Sequence, residues 1–321
     1  MAFDINGFYS KLDEYYGRYD NAATEKFLLD SLAQAEEFMI IPSSCSSCLD
    51  HGDHTGEEKF NKLSEEEKKW IIECSDSRIA ILNEIACFYR GVSNWEKCLS
   101  AFNAVKDEME ARGLEHINSY AVVILNMAGA FRLMGRFDDA LAAFHQAEEI
   151  LTRTGNAGDY ELAGLYNNMG LVYQDLKELD KAAENFEKAL AYLVKVPDND
   201  AEIATNNANL ALTYYNAGKA DKAIECLDRA ISIFEKLDGG LNPHYAGALN
   251  TKAVILFNSG DIAGAAAMFA DAAAKTKLIF GENKDYAVGC RNAAYAYSKL
   301  GDTAKAEEYM AISNAVEAKL G

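Results

Sequence analysis

One short segment carries four side chains of the types that bind zinc. Cys45, Cys48, His51 and His54 follow one another at intervals of three residues. Two thiolates and two imidazoles would complete a tetrahedral zinc site. Structural zinc sites usually combine ligand pairs from separated segments, whereas these four lie within ten residues. We therefore favour a polar surface loop whose Cys and His are incidental. A structural zinc, which would be the only cofactor, is the alternative.

The segment lies in a stretch whose composition differs from that of its flanks. Residues 41–63 are rich in Ser, Gly and Asp, which is typical of a loop. Residues 1–40 read as one helical hairpin, and residues 64–321 carry helical periodicity almost throughout. The sequence thus predicts an N-terminal hairpin, an insertion loop and a long helical domain.

The pattern is clearest between Leu162 and Leu190. Apolar residues recur at helical spacing on both sides of a polar break at 175–178. Two amphipathic helices joined by so short a turn must fold back antiparallel and cover each other's apolar stripe. Small residues at Gly170 and Ala182 would let the two backbones approach, and Phe186 would fill the space around that contact.

This hairpin recurs along the chain with a nearly constant period. A small residue of the second helix is followed four positions later by Phe or another large apolar residue. Successive small residues are separated by 42, 42, 41, 42 and 41 residues, at Cys98, Ala140, Ala182, Ala223, Ala265 and Ala306. One hairpin cannot bury its stripe alone, so regular repetition indicates a stack of hairpins.

The small–aromatic–Ala–Phe–Ala pattern of these blocks resembles the tetratricopeptide repeat family over residues 79–320. The period exceeds the family's usual length of about 34 residues by roughly two helical turns. In this respect the chain is similar to the longer-helix repeats of kinesin light chains. The resemblance implies an all-α fold, a right-handed α-α superhelix of about seven hairpins, six of them within residues 64–321.

Composition and charge favour a binding protein over several other classes. The formal net charge is −19, which disfavours nucleic acid and anionic membrane surfaces as partners. No apolar run is long enough to span a bilayer, and the acidic N-terminus does not read as a secretory signal. Most of the seven cysteines lie among apolar helical residues and read as free thiols. No local motif pairs a nucleophile with a base. We predict a cytoplasmic protein that is not an enzyme.

The residues most informative about binding lie on the first helix of each hairpin. Polar side chains, mostly asparagines, stand two residues before the small residue of that helix, with further amides one residue earlier and polar or aromatic residues one turn later. Asparagine is a mediocre helix former, so its repetition at one register has a local cost. The predicted groove residues are Asn126, Asn167, Asn168, Asn209, Asn250, Thr251, Asn292, Asn216, Asn258 and Tyr295.

Two interpretations of these amides stay open. In the kinesin-light-chain resemblance, a similar row on the concave face contacts a bound peptide, and a side-chain amide suits a peptide backbone because it donates and accepts. Alternatively, the amides bridge neighbouring first helices. The groove positions are amide and apolar with little cationic character, so we expect a neutral or basic peptide with apolar anchors.

The function that follows is a non-catalytic scaffold that binds a peptide or a partner helix. A ligand- or metal-responsive regulatory sensor, with the repeats as the switching element, is the alternative. The last hairpin carries Tyr309, Met310, Ile312, Val316 and Leu320, which we expect to be partly exposed. Such residues would permit a homodimer through that end.

Overall fold

The computed structural model describes residues 3–39, 64–154, 158–237 and 240–320. All regular structure in these ranges is α-helical, which confirms the all-α prediction. The helices are α1 (Ile5–Gly17), α2 (Asn21–Met39), α3 (Glu65–Gly91), α4 (Trp95–Ala111), α5 (Asn118–Leu133), α6 (Phe137–Thr154), α7 (Asp159–Asp175), α8 (Leu179–Leu193), α9 (Asp200–Asn216), α10 (Ala220–Lys236), α11 (Pro243–Ser259), α12 (Ile262–Phe280), α13 (Lys284–Leu300) and α14 (Thr303–Leu320). They pair in chain order into seven hairpins, as predicted.

Each hairpin turns through one residue in the left-handed region of backbone space. That region costs an L-residue with a side chain roughly 1–2 kcal/mol, whereas glycine enters it freely. Four of the seven turns use glycine and three do not, the seven being Tyr19, Ser93, Gly135, Lys177, Gly218, Gly260 and Gly301. The last six keep the 41–42-residue period, so the turn and the core repeat together.

In five of the seven hairpins the interior is built on the predicted small–large pairs. Residues four apart share one face of a helix, so the small residue and the large one meet the same neighbour. The small residue is fully buried at Cys98, Ala140, Ala182, Ala223 and Ala265. In the last hairpin the corresponding Ala306 is half-buried and Met310 is exposed.

The predicted close approach at Gly170 is confirmed. A Cβ atom added there would lie 2.8 Å from the ring of Phe186 on α8, which is closer than real contacts allow. The backbone of α7 therefore rests directly on that ring, and Phe186 is fully buried.

The chain divides into two compact units. Unit 1 comprises Met1–Ala157 and unit 2 comprises Gly158–Gly321. The predicted division into residues 1–40, 41–63 and 64–321 stays a prediction. In the last hairpin, Tyr309 and Ile312 are half-buried and Leu320 is exposed, as expected. The expectation for Val316 is wrong, because its side chain packs with Tyr286, Ala287 and Cys290 of α13.

Candidate functional site

The recurring amides face away from the interior of their own hairpins. A helix turns about 100° per residue, so a side chain two positions before a buried small residue points to the opposite side. The small residues are buried, at Ala128, Gly170, Ala211, Ala253 and Ala294. The side chains two positions earlier are all half-buried, at Asn126, Asn168, Asn209, Thr251 and Asn292.

In unit 2 these positions lie along one surface, because the first helices of successive hairpins touch there. Gln174 of α7 donates to Thr213 of α9 at 3.1 Å, and Asn258 of α11 donates to Tyr215 of α9. The rings of Phe257 on α11 and Tyr295 on α13 are 5.5 Å apart. We call this surface the first-helix face of unit 2, formed by Asn167, Asn168, Asn209, Asn216, Asn250, Thr251, Asn258, Asn292 and Tyr295.

Asn167 is the centre of an amide cluster on this face. Its Oδ1 accepts from Nδ2 of Asn206 at 3.3 Å and from Nδ2 of Asn209 at 3.4 Å. Both donors lie on α9, whereas the acceptor lies on α7. The cluster therefore bridges two hairpins, as one of the two interpretations expected. In unit 1, Asn126 bridges similarly to Asn83 of α3 at 3.4 Å.

Other amides of the row do not bridge. Asn168 donates to the carbonyl oxygen of Gly164 in its own helix at 2.8 Å, and Thr251 bonds the carbonyl of Gly247 in the same way. The side chains of Asn250 and Asn292 have no hydrogen-bond partner among the described residues. Their donors and acceptors are available to a ligand. The role of the ten predicted residues in binding stays a prediction.

Apolar side chains stand beside the amides. Leu212 on α9 is 40% exposed and Tyr295 on α13 is 54% exposed. The ammonium of Lys299 lies 5.3 Å from the centre of the Tyr295 ring, within the range of a cation–π contact. This end of the face therefore offers an aromatic surface and one positive charge.

A cavity of about 470 Å³ opens at the other end of the face. It lies between α7, α9 and the first residues of α11, with Leu193 of α8 at its base. Its polar lining includes Tyr160, Glu202, Asn206 and His244. His244 is the second residue of α11.

These cavity residues were missed by the sequence reasoning because they fall outside the aligned register. Asn206 stands three residues before Asn209 and thus one helical turn away on nearly the same face. The equivalent positions on the other first helices are Val123, Leu165, Ala248 and Gly289, so no recurring amide marks it. Tyr160 and His244 are 84 positions apart, and no local pattern links them.

Buried thiols in the described ranges are poor nucleophiles. Burial raises the pKa of Cys98 to about 11, and burial raises the pKa of Cys74, Cys226 and Cys290 as well. A thiol with a raised pKa carries little of the reactive thiolate at neutral pH. The four predicted zinc ligands, Cys45, Cys48, His51 and His54, lie outside the described residues, so that prediction stays open.

Comparison with protein families decides the class of the chain. A family model described as tetratricopeptide repeat matches residues 119–193, 161–236 and 201–274. A second tetratricopeptide repeat model matches residues 290–311. Together the matches cover more than half of the chain. The chain belongs to the tetratricopeptide repeat family. The resemblance drawn from the repeat pattern is thereby confirmed.

Several solved structures have a similar fold. BtubC (BKLC) from P. vanneervenii is 21% identical, with a TM-score of 0.56 over 77% of this chain and 92% of that one. TPR-like repeats from Podosopora anserina, described as those of a kinesin light chain, are 19% identical with a TM-score of 0.54, over 64% of this chain and 98% of theirs. The apo form of RapI is 15% identical with a TM-score of 0.54, over 75% and 98%. At these identities the likeness shows the fold alone.

No curated protein was found to match the sequence. The tetratricopeptide fold supports a protein–protein interaction scaffold, and proteins of this family bind protein or peptide partners and are typically not catalytic. None of the helices in the described ranges combines the length and apolar character needed to cross a membrane.

Proposed function

We propose that this tetratricopeptide protein is a non-catalytic scaffold that binds an extended peptide along the first-helix face of unit 2. The observation that carries the proposal is the row of half-buried amides, in which Asn250 and Asn292 have no partner among the described residues. A half-buried amide without a partner is stabilised more by a hydrogen bond from a ligand than an amide that is fully exposed to water.

The chemistry of the face suits a peptide backbone. A backbone in extended conformation presents N–H and C=O groups alternately, and a side-chain amide can pair with either. Leu212 and Tyr295 lie beside the amides and are exposed enough to hold apolar side chains of the ligand. The amides would give affinity for the backbone, whereas the apolar residues would select the sequence.

The net charge of −19 favours a neutral or basic ligand over an acidic one. Long-range repulsion would slow the approach of an acidic peptide. Lys299 provides one positive charge at the α13 end of the face, so an acidic residue at that end of the ligand is compatible with the proposal.

Bridging and binding are compatible within the same row. Asn167 and Asn209 bond across hairpins, whereas Asn168 bonds only to its own helix. Mutations at Asn168 and Asn292 therefore test binding without removing a bridge between hairpins. A random dodecamer peptide library displayed on phage can be selected on the immobilised full chain, and the affinity of the selected peptides measured by fluorescence anisotropy.

The variant Asn168→Ala/Asn292→Ala is expected to bind the selected peptides about tenfold more weakly, which corresponds to two hydrogen bonds of about 0.7 kcal/mol each. A matched control is Gln34→Ala/Asn103→Ala, which removes two exposed side-chain amides from the second helices α2 and α4. Its affinity should equal that of the wild type. Full affinity in the first variant, or failure of the library to enrich any peptide, would overturn the proposal.

Two further predictions made from the sequence stay predictions. A cytoplasmic location rests on the composition of the chain, and fractionation of cells that express it would test this. A homodimer through the last hairpin rests on the exposed Met310 and Leu320. Light scattering over a range of concentrations would show whether the mass rises from 35.2 kDa.

A further inference from the structure

We propose that the cavity between α7, α9 and the start of α11 binds a cationic side chain, arginine or lysine, of the peptide ligand. This inference rests on the proposed function and names one feature of the ligand. The volume of about 470 Å³ lies within the range of roughly 300–1,000 Å³ that is usual for ligand sites.

The charge of the lining points to a cation. Among the described residues, Glu202 is the only acidic one that lines the cavity, and no lysine or arginine does. Glu202 is exposed and forms no ion pair with any described residue. The ammonium of Lys195 lies 3.4 Å from Asp159, so it is engaged elsewhere. The carboxylate is thus available to a positive group from outside.

A second acceptor lies in the wall of the cavity. Asn206 is 1% exposed, and its Oδ1 is buried without a hydrogen-bond partner among the described residues. A buried oxygen without a donor is unfavourable, because the hydrogen bonds to water that it lost on burial are not replaced. If the Asn206 amide turns toward the cavity, that oxygen can accept from a ligand N–H group.

The turn of Asn206 leaves the bridge between α7 and α9 in place because Asn167 has a second donor. Turning breaks the 3.3 Å bond from Asn206 to Asn167 Oδ1, but Asn209 still donates to the same oxygen at 3.4 Å. The amide cluster therefore keeps its bridge between α7 and α9 while one member serves the ligand. A guanidinium, with five N–H donors, could reach both Glu202 and Asn206.

The remaining walls suit the aliphatic part of such a side chain. Ala163, Leu193 and Pro243 provide apolar surface, and Tyr160 is an exposed aromatic residue that also lines the cavity. Long cationic side chains bury their methylene stems against surfaces of this kind while the charged head meets polar groups. An aromatic ring beside the head adds a cation–π contact.

The test uses the full chain and a small probe, so it does not depend on identifying a peptide. N-acetyl-arginine methylamide is titrated into isotope-labelled protein, and backbone amide shifts are followed by NMR. N-acetyl-citrulline methylamide is the neutral control of the same shape. We expect saturable shifts near residues 160–167, 201–206 and 242–244, with citrulline binding about tenfold more weakly, a loss of about 1.4 kcal/mol.

Two pairs of variants locate the interaction. Glu202→Gln should weaken arginine binding to the level of citrulline, whereas Glu184→Gln, on the exposed side of α8, should leave it unchanged. Asn206→Ala should weaken it several-fold. Asn207→Ala is its matched control, because Asn207 is 3% exposed and has an equally unpartnered Oδ1 but does not line the cavity.

Absence of localised shifts, equal binding of citrulline, or an unaffected Glu202→Gln variant would overturn this inference. Equal effects of the Asn206 and Asn207 variants would remove Asn206 from the site. The proposed function is tested by a different experiment, and its outcome is independent of this one. Arginine can bind here even if no selected peptide depends on Asn168 and Asn292, and selected peptides can depend on those residues without a basic side chain.

Discussion

Arg78 of α3 in unit 1 joins three helices, because it contacts Glu36 on α2 and the buried Glu108 on α4. Glu25 on α2 accepts from Tyr89 of α3 at 2.7 Å and from Lys97 of α4 at 2.8 Å. In unit 2, the comparable links between first helices are the Asn167 cluster, the Gln174–Thr213 bond and the Phe257–Tyr295 rings. Unit 1 thus contains a partly buried network of charged groups, whereas the links between first helices are neutral in unit 2, as is the Asn83–Asn126 link of unit 1.

The difference bears on where a ligand can bind. A carboxylate and a guanidinium that are already paired have few free hydrogen-bonding positions for a ligand. Separating a buried pair would cost several kcal/mol. Burial tends to lower the pKa of Arg78, but Glu108 and Glu36 outweigh it and hold that pKa above its usual value. Neutral amides can exchange partners at far smaller cost. The uncharged links of unit 2 therefore leave the amides of its first-helix face able to exchange partners with a ligand, whereas the charged groups of the Arg78 network are already paired with each other.

The largest expected effect tests the charged links of unit 1. Glu108 is 7% exposed, and it also accepts from Ser75 Oγ at 2.6 Å. Glu108→Ala leaves Arg78 with Glu36 alone and should lower the free energy of unfolding by about 3 kcal/mol, the lower part of the range for breaking a buried pair. Equilibrium urea unfolding measures it. Asp107→Ala, the exposed neighbour on α4, is the control and should change stability by less than about 0.5 kcal/mol. Equal losses in the two variants would show that the Arg78 network contributes no more to stability than an exposed surface residue does.

The second effect concerns the interior of a hairpin, where both units pack small residues against large apolar ones. Gly170→Ala places a Cβ 2.8 Å from the Phe186 ring, and overpacking of this kind should cost about 2 kcal/mol. Gly164→Ala on the same helix meets no atom within 4 Å. It should stabilise the protein by roughly 0.5–1 kcal/mol through helix propensity. Thermal unfolding of both variants measures the two effects. A stabilising Gly170→Ala substitution would contradict the close approach of α7 to the Phe186 ring.

The third effect tests the neutral links of unit 2. Asn167→Ala removes the acceptor of two amides on α9 and leaves the Asn206 amide buried without a partner, so we expect a loss of about 1 kcal/mol. Asn168→Ala removes only a bond to its own helix and should change stability by less than about 0.5 kcal/mol. Comparing the two variants thus distinguishes the role of Asn167 in joining hairpins from the proposed role of Asn168 in binding. If Asn168→Ala proves the more harmful to stability, the roles assigned to them are reversed.

The repeat itself could be predicted because its determinants are local. Small and large residues four apart define the packed face, and the turn residue recurs with the same period as that face. The Gly170–Phe186 contact followed from size alone. Lys177 and Ser93 show the limit of this reasoning, since both occupy a left-handed turn conformation that favours glycine.

The candidate site was predictable only in part. The row of Asn168, Asn209 and Asn292 is visible because it keeps the period of the repeat. Which amide accepts from which is decided by contacts between helices about 40 residues apart, as between Asn167 and Asn206. The cavity needs three helices and the start of α11 at once. Some of its residues keep the period of the repeat, such as Glu202 and His244, which are 42 positions apart, but their types differ, so no recurring residue type marks the cavity.

The smallest expected effect concerns an exposed carboxylate of unit 2. Glu282, between α12 and α13, accepts from Lys277 at 2.9 Å and from Lys319 at 2.7 Å. The hydrogen bonds from Lys319 and Lys277 lower the pKa of Glu282 from 4.5 to about 2. A carboxyl whose pKa is lower in the folded state stabilises the fold above its unfolded pKa, and this contribution fades as pH falls toward the folded pKa.

Glu282→Gln should therefore lower the melting temperature slightly at pH 7, and the difference from the wild type should shrink between about pH 4.5 and pH 2. High salt is the control, because at 1 M the screening length is about 3 Å and an exposed pair loses most of its attraction. A difference that grows at low pH would contradict the assigned direction of the shift. A difference as large as that of Glu108→Ala would remove the contrast between the buried charges of unit 1 and the exposed charges of unit 2.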